Sequence, residues 1–345
     1  MPSRLDQISY LSWEHPADRA ALNTLRAIPG FDEIVRKVAS WFGERGARHL
    51  FTANAVRVGP NQYPELDALL TEVLETMDWE KRPQLYVRQM PEVNAYAIGF
   101  GDPFIVVNSE MVKLLSRDEL RFILAHELGH IMSGHTTYRT IALILILVGT
   151  NGLPFLAGLA VLPFQLALLE WYRKSELSSD RAGLLGIQDV RVAQTAFLKM
   201  AGGGEMGSQI SLETFMEQAR EYEIDSGAWD KVLKVVNTAF RDHPFATVRA
   251  AELQRFVESG QYERIISGDY VRRGTEKDRP LSDDFKEAGD YYSGVARDAV
   301  GSVADAISRA RDAFSDAFRG TTGADASTGG DAPPSGTDGE GKPGA

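Results

Sequence analysis

The chain has 345 residues and a formal net charge of −11, long enough to bury a substantial core and suited to one large or two smaller domains. It has no long basic run, so nucleic acid is excluded as an expected partner, since phosphate binding needs clustered Lys and Arg. It also has no cysteine. A disulfide framework and a thiolate metal site are therefore excluded, and any metal must be held by His, Asp or Glu.

The first residues, MPSRLDQISYLSWEH, contain no apolar stretch of signal-peptide length, and a cytoplasmic protein is expected. Residues 17–27 and 31–42 read as helices separated by Pro29-Gly30. A third helix is expected over 66–77, where Leu66, Leu69, Leu70, Val73 and Leu74 recur at helical spacing. These make an N-terminal helical region over 1–83. Runs at 84–88, 94–99 and 104–108, each bounded by Pro or Gly, then predict a small, mostly antiparallel sheet.

The stretch SRDELRFILAHELGHIMSGH follows. Ser116 with Glu119 three residues later is a capping-box signature, so a helix should start near Arg117. Residues 141–171 are almost uncharged, with Glu170 the only ionisable side chain, and a charged helix is expected to resume over 172–185. Further helices are predicted over 191–200, 212–222, 228–240 and 247–258. The pattern over 284–319 is amphipathic, with apolar residues three or four apart. Residues 320–345 carry no large apolar side chain and should be disordered.

His126-Glu127-Leu128-Gly129-His130 is an HExxH motif. Residues four apart share a helix face, so both imidazoles can reach one ion. Glu127 is turned by about 100 degrees from His126 and can flank the metal without ligating it. There it can take a proton from an activated water and pass it to a leaving amine. A catalytic zinc usually takes three protein ligands. Glu176, in the charged segment after the apolar stretch, is the best third candidate. Asp180 lies one turn on and could orient a ligating imidazole from behind. His135 is five residues beyond His130 and is expected to point away from the metal face, while His15 and His49 have no supporting context and read as surface residues.

HELGH, an apolar segment and then Arg173-x-x-Glu176-x-x-x-Asp180 resemble the M48 peptidases, the family of HtpX-like and Ste24-like proteases. The resemblance spans roughly residues 93–253. It includes Asn94-Ala95-Tyr96-Ala97 upstream and His243-Pro244 with Arg249 downstream. It implies one zinc ion per chain held by His126, His130 and Glu176, with Glu127 as general base and Asp180 supporting a ligand. It further implies that Asn94 contacts substrate or the oxyanion and that His243 stabilises the oxyanion. Ser179 stands where the family has Ala, and Phe245 where it often has a second Pro; neither is a proposed ligand.

The resemblance implies an α+β, mainly α fold. Its parts would be a gluzincin-type metalloprotease core over 84–260 with a small β-sheet, an apolar helical hairpin at 141–171 between the zinc-ligand helices, and a disordered tail. The expected activity is zinc metalloendopeptidase action on polypeptides, in the manner of membrane-protein quality control. The alternative is a catalytically silent M48-like scaffold at the membrane. Residues 141–171 fall short of the ~40 apolar residues that two crossings need. Three readings stay open for them: a shallow re-entrant hairpin, an interfacial anchor, or a helical pair packed on the core. Membrane association at the cytoplasmic face is the favoured expectation.

Overall fold

The structure is a computed structural model in which residues 2–28, 30–151, 155–203, 209–224 and 245–276 are described, with the side chains of residues 32, 34, 146–151, 155–166 and 222–224 left aside. The predicted helix at 228–240, His243, the amphipathic segment 284–319 and the tail 320–345 lie outside the described residues.

The described part is mainly helical, with one small sheet. Helix α1 (Pro16–Arg26) begins where His15 Nδ1 accepts from the Ala17 backbone N–H and Pro16 opens the first turn. Helix α2 (Phe31–Thr52) has a kink next to its predicted end at residue 42, where Gly43 leaves the helical conformation (φ 59°), and a second helical segment continues beyond it. Helix α3 (Pro64–Thr76) buries Leu66, Leu69, Leu70, Val73 and Leu74, the face its periodicity predicts.

Strands β2 (Gln84–Arg88), β3 (Ala95–Ile98) and β4 (Phe104–Asn108) occupy the three predicted runs, and an unexpected β1 (Ala55–Arg57) joins them in the order β1-β2-β4-β3. The outer pairings are antiparallel, but the central β2–β4 pairing is parallel, with Gln84 opposite Phe104 and Arg88 opposite Asn108. Strand β4 is buried along its whole length, as its unbroken apolar run requires. Among the described residues strand β3 lies at the edge.

After α4 (Ser109–Leu114) comes α5 (Arg117–Met132), which carries the HExxH motif and starts with the predicted capping box of Ser116 and Glu119. Helices α6 (Thr136–Asn151) and α7 (Phe155–Ile187) follow. The charged stretch expected to resume at residue 172 is a continuation of α7, which runs through Pro163 without ending. No helix among the described residues is long and apolar enough to cross a membrane.

Helices α8 (Val190–Gly202), α9 (Leu212–Ile224), α10 (Ala246–Glu258) and α11 (Gln261–Ile266) complete the body. Helix α5 lies against α7 over the greatest length, with small residues at the contact: Gly129 faces Ala182, and Ala125 faces Gly186. These pairings run in opposite order along the two chains, so α5 and α7 are antiparallel. Leu5, Ile8 and Trp13 share one buried cluster with residues of α3, α5, α7, α8 and α10. The N-terminal segment also bonds to the last described residues, Ser9 N–H to the Val271 carbonyl at 2.9 Å.

Candidate metal centre

His126 and His130 project from successive turns of α5 and meet Glu176 from α7; one donor atom from each residue lies within 4.8 Å of the others, and all three residues are buried. The His126 and His130 Nε2 atoms are 3.2 Å apart. Glu176 Oε1 is 3.1 Å from His130 Nε2, and its Oε2 is 3.4 Å from His126 Nε2. Two imidazoles and one carboxylate converging without a thiolate match the donor set of a catalytic zinc with an open position.

The surroundings of the three differ. His126 Nδ1 is 2.9 Å from Asp180 Oδ1, and Asp180 in turn accepts from Arg249 Nε at 2.8 Å and Nη2 at 2.5 Å. Burial alone would raise the Asp180 pKa, but the Arg249 charge and the bonds from Arg249 and His126 hold it below the usual carboxylate range. Burial pushes His126 down, yet Glu176 and Asp180 outweigh it and bring it up to about 9. His130 is held well below the ordinary imidazole value by burial and by the nearby Arg139 guanidinium. A proton held on His126 competes with a metal ion at the same ring and must leave for the ion to bind.

Glu127 is buried with Oε1 3.9 Å from His126 Nε2, beside the cluster but outside the converging set. Its Oε2 lies 3.4 Å from Arg139 Nη1. Arg139 is fully buried, donates from Nη2 to the Tyr172 hydroxyl at 2.6 Å, and lies 3.5 Å from Glu176 Oε1. A cleft of about 750 Å³ opens over the cluster, lined by His126, Glu127, Glu176, Arg249 and, from the sheet edge, Asn94 and Ala95. Asn94 Oδ1 accepts from the Ala95 N–H at 2.8 Å, while its carbonyl accepts from the Asn108 N–H at 2.9 Å. Asn94 thus immediately precedes strand β3 and also faces the cleft.

The model of peptidase family M48 matches residues 60–257. The chain belongs to peptidase family M48. It is 35% identical over 260 residues to the plastoglobule-localized metallopeptidase 48, chloroplastic, of Arabidopsis thaliana, covering 74% of each chain. It is 30% identical over 166 residues to the Protease HtpX homolog of Helicobacter pylori (strain Shi470), covering 48% of this chain and 46% of that one. A homolog of the same name from Helicobacter acinonychis (strain Sheeba) gives 30% over 166 residues, 47% of its length. No solved structure matches the chain.

An M48 metallopeptidase implies a bound metal, and the His126, His130 and Glu176 cluster is where this chain can hold one. Three residues packed around this cluster, Arg139, His135 and Asp18, escaped the sequence reading. Arg139 lies at the end of a polar run with no motif to mark it. His135 was expected to point away from the metal face, but its Nδ1 is 3.1 Å from His130 Nδ1. The helical projection fails because α5 has ended: Ser133 caps it, Gly134 takes a left-handed φ of 71°, and the His135 N–H returns to the His130 carbonyl at 3.0 Å. This Schellman turn folds His135 back behind His130. Asp18 stands on the far side of His135, its Oδ2 3.2 Å from His135 Nε2.

His15, expected at the surface, is also buried, because it caps α1 with Nδ1 and places Nε2 3.4 Å from Glu252 on α10. Burial and the Arg181 charge push its pKa down to about 4 despite that carboxylate. His49 is exposed, as its lack of context predicts.

Proposed function

We propose that this M48 metallopeptidase is a zinc endopeptidase in which His126, His130 and Glu176 hold the ion and Glu127 is the general base. The observation that carries the reading is the convergence of those three donors beneath a cleft that Glu127 also lines. When bound there, zinc supplies a Lewis acid that polarises the scissile carbonyl and makes water more acidic.

The chain's own residues do the rest. Glu127 takes the proton from the attacking water and delivers it to the amine nitrogen as the peptide bond breaks. Arg139 holds the Glu127 carboxylate to one side of the cluster, which keeps it available as a base rather than a fourth ligand. Asp180, fixed by Arg249, accepts from His126 Nδ1 and so directs the His126 Nε2 lone pair toward the ion. Asn94 contacts the substrate backbone or the developing oxyanion, and His243 stabilises that oxyanion.

The endopeptidase assignment draws on the sheet. Among the described residues strand β3 has a strand neighbour on only one side, and Asn94 just before it and Ala95 at its start line the cleft. An extended polypeptide can add to that edge through its main chain, which tolerates varied side chains and needs no free terminus. Association with the cytoplasmic face of a membrane is part of the same proposal. It is supported by the near absence of charge over residues 141–171.

The test pairs elemental analysis with casein cleavage by the wild type and by Glu127→Gln. Near-stoichiometric zinc in both proteins, with cleavage only by the wild type, is the expected result. Zinc in both with no cleavage of any polypeptide by the wild type would favour a silent scaffold.

A further inference from the structure

The two imidazoles of the cluster are backed differently. His126 leans directly on a carboxylate, Asp180. Behind His130 stands a second imidazole, His135, and only then a carboxylate, Asp18. Asp18 comes from α1, outside residues 60–257 matched to the M48 family. It is wholly buried and is surrounded by donors: Trp171 Nε1–H gives to Oδ1 at 2.9 Å and Ser178 Oγ–H to Oδ2 at 2.6 Å. Ser178 Oγ itself accepts from the His15 backbone N–H at 2.9 Å. His135 is equally enclosed, with Trp171 packed edge-on against its ring.

With His135 neutral, hydrogen-bond chemistry leaves one consistent arrangement. An ionised carboxylate only accepts, so His135 must present Nε2–H to Asp18. The neutral His135 ring then has a bare Nδ1, which can only accept. His130 must therefore carry its hydrogen on Nδ1, which leaves its Nε2 lone pair free toward Glu176 and the cleft. In the opposite arrangement His130 would carry Nε2–H and could not ligate.

We infer that His135 and Asp18 form a two-step relay that selects the metal-binding tautomer of His130 and fixes its ring, so that the N-terminal helix α1 is a working part of the metal centre. His135 and Asp18 are positioning residues and touch no substrate. The Schellman turn at Gly134 brings His135 behind His130, and the α1–α7 contact brings Asp18 behind His135. Outer partners of metal-ligating histidines typically account for a 10–100-fold change in metal affinity.

The inference rests on the zinc reading above, and its test separates the two. Zinc affinity is measured by chelator competition on the full chain for the wild type, His135→Leu, His135→Gln and Asp18→Asn. Leu fills the space without polar atoms and should weaken binding ~10–100-fold. Gln can accept from His130 and donate to Asp18 at once, and should recover most of that loss. Asn at position 18 turns an NH2 group toward either Trp171 Nε1–H or His135 Nε2–H, and should weaken binding about tenfold.

Two-bond proton–nitrogen spectra of the metal-free wild type provide a reading that survives any failure of the variants to fold. They should show Nε2–H on His135 and Nδ1–H on His130, and the reverse tautomers overturn the relay. Unchanged zinc affinity in folded His135→Leu overturns the relay alone. A wild type with no zinc affinity overturns both readings.

Discussion

Gly129 on α5 approaches Ala182 on α7 so closely that a Cβ added to Gly129 would lie 2.5 Å from the Ala182 Cβ. A Cβ on Gly186 would meet that of Ala125 at the same 2.5 Å. The two small-residue contacts draw the helix carrying His126 and His130 against the helix carrying Glu176. Gly129→Ala and Gly186→Ala should each lower stability by ~1–3 kcal/mol through overpacking. Gly129→Ala should also weaken zinc binding, because it pushes the ligand helices apart between His126 and His130. Adding Ala182→Gly should restore much of both losses. Denaturant titration with chelator competition checks this; an unperturbed Gly129→Ala protein would mean that the close approach is incidental.

Zinc affinity should depend on pH through His126. In the metal-free protein its pKa stands near 9, raised by Glu176 and Asp180 against burial. Below that value a proton occupies the ring and must leave when the ion binds. Affinity should therefore fall about tenfold for each pH unit below 9 and level off above it, one proton being released per ion. His130, held low, adds no competition in this window. Calorimetry in buffers of different ionisation enthalpy counts the released proton; no proton release at pH 7 would contradict the assignment.

Arg249 and Asp180 form a buried ion pair, with Nη2 2.5 Å from Oδ1. Arg249→Met should cost about 3–5 kcal/mol, because it strands the Asp180 charge away from water. The double change Arg249→Met with Asp180→Asn should be less harmful than Arg249→Met alone, since the Asp180 charge is removed with its partner, Asn can still accept from His126, and only Glu176, 3.6 Å from Arg249 Nη1, loses a neighbouring cation. A double-mutant cycle from chemical denaturation gives the coupling, and strictly additive losses would show that the pair acts independently.

The extent to which sequence revealed this site follows from how far each signal reaches along the chain. His126, Glu127 and His130 lie within one helix, whose capping box at Ser116 and Glu119 also marks its start. Strands β2 and β4 were readable because bounded apolar runs leave few alternatives, whereas β1 offers only three residues, mostly exposed. The parallel β2–β4 pairing was not readable, because each strand specifies its own faces and not its neighbour. His135 was misjudged because a single left-handed residue, Gly134, cancels the helical projection. Asp18 has no local signal at all: it meets the site only because α1 docks on α7, a contact set by the tertiary packing of the whole chain.

Arg139 places a permanent positive charge beside the carboxylates that zinc would neutralise. Its Nη1 faces Glu127 at 3.4 Å and its Nη2 faces Glu176 at 3.5 Å, all of them buried. Without metal, this guanidinium and that of Arg249 offset the negative charge of the pocket. Arg139→Met should therefore destabilise the metal-free protein by about 3–5 kcal/mol, the range for breaking a buried ion pair from one side. Zinc brings its own positive charge to the same carboxylates, so the loaded variant should lose less. The stabilisation gained on saturation with zinc, which grows by ~1.4 kcal/mol for each tenfold of free ion over Kd, should consequently be larger in Arg139→Met than in the wild type. Thermal unfolding of both proteins with chelator and with excess zinc measures the two gains. Equal gains would mean that Arg139 and the ion do not share the Glu127 and Glu176 charges, and that Arg139 is held in the site by its contact with Tyr172 instead.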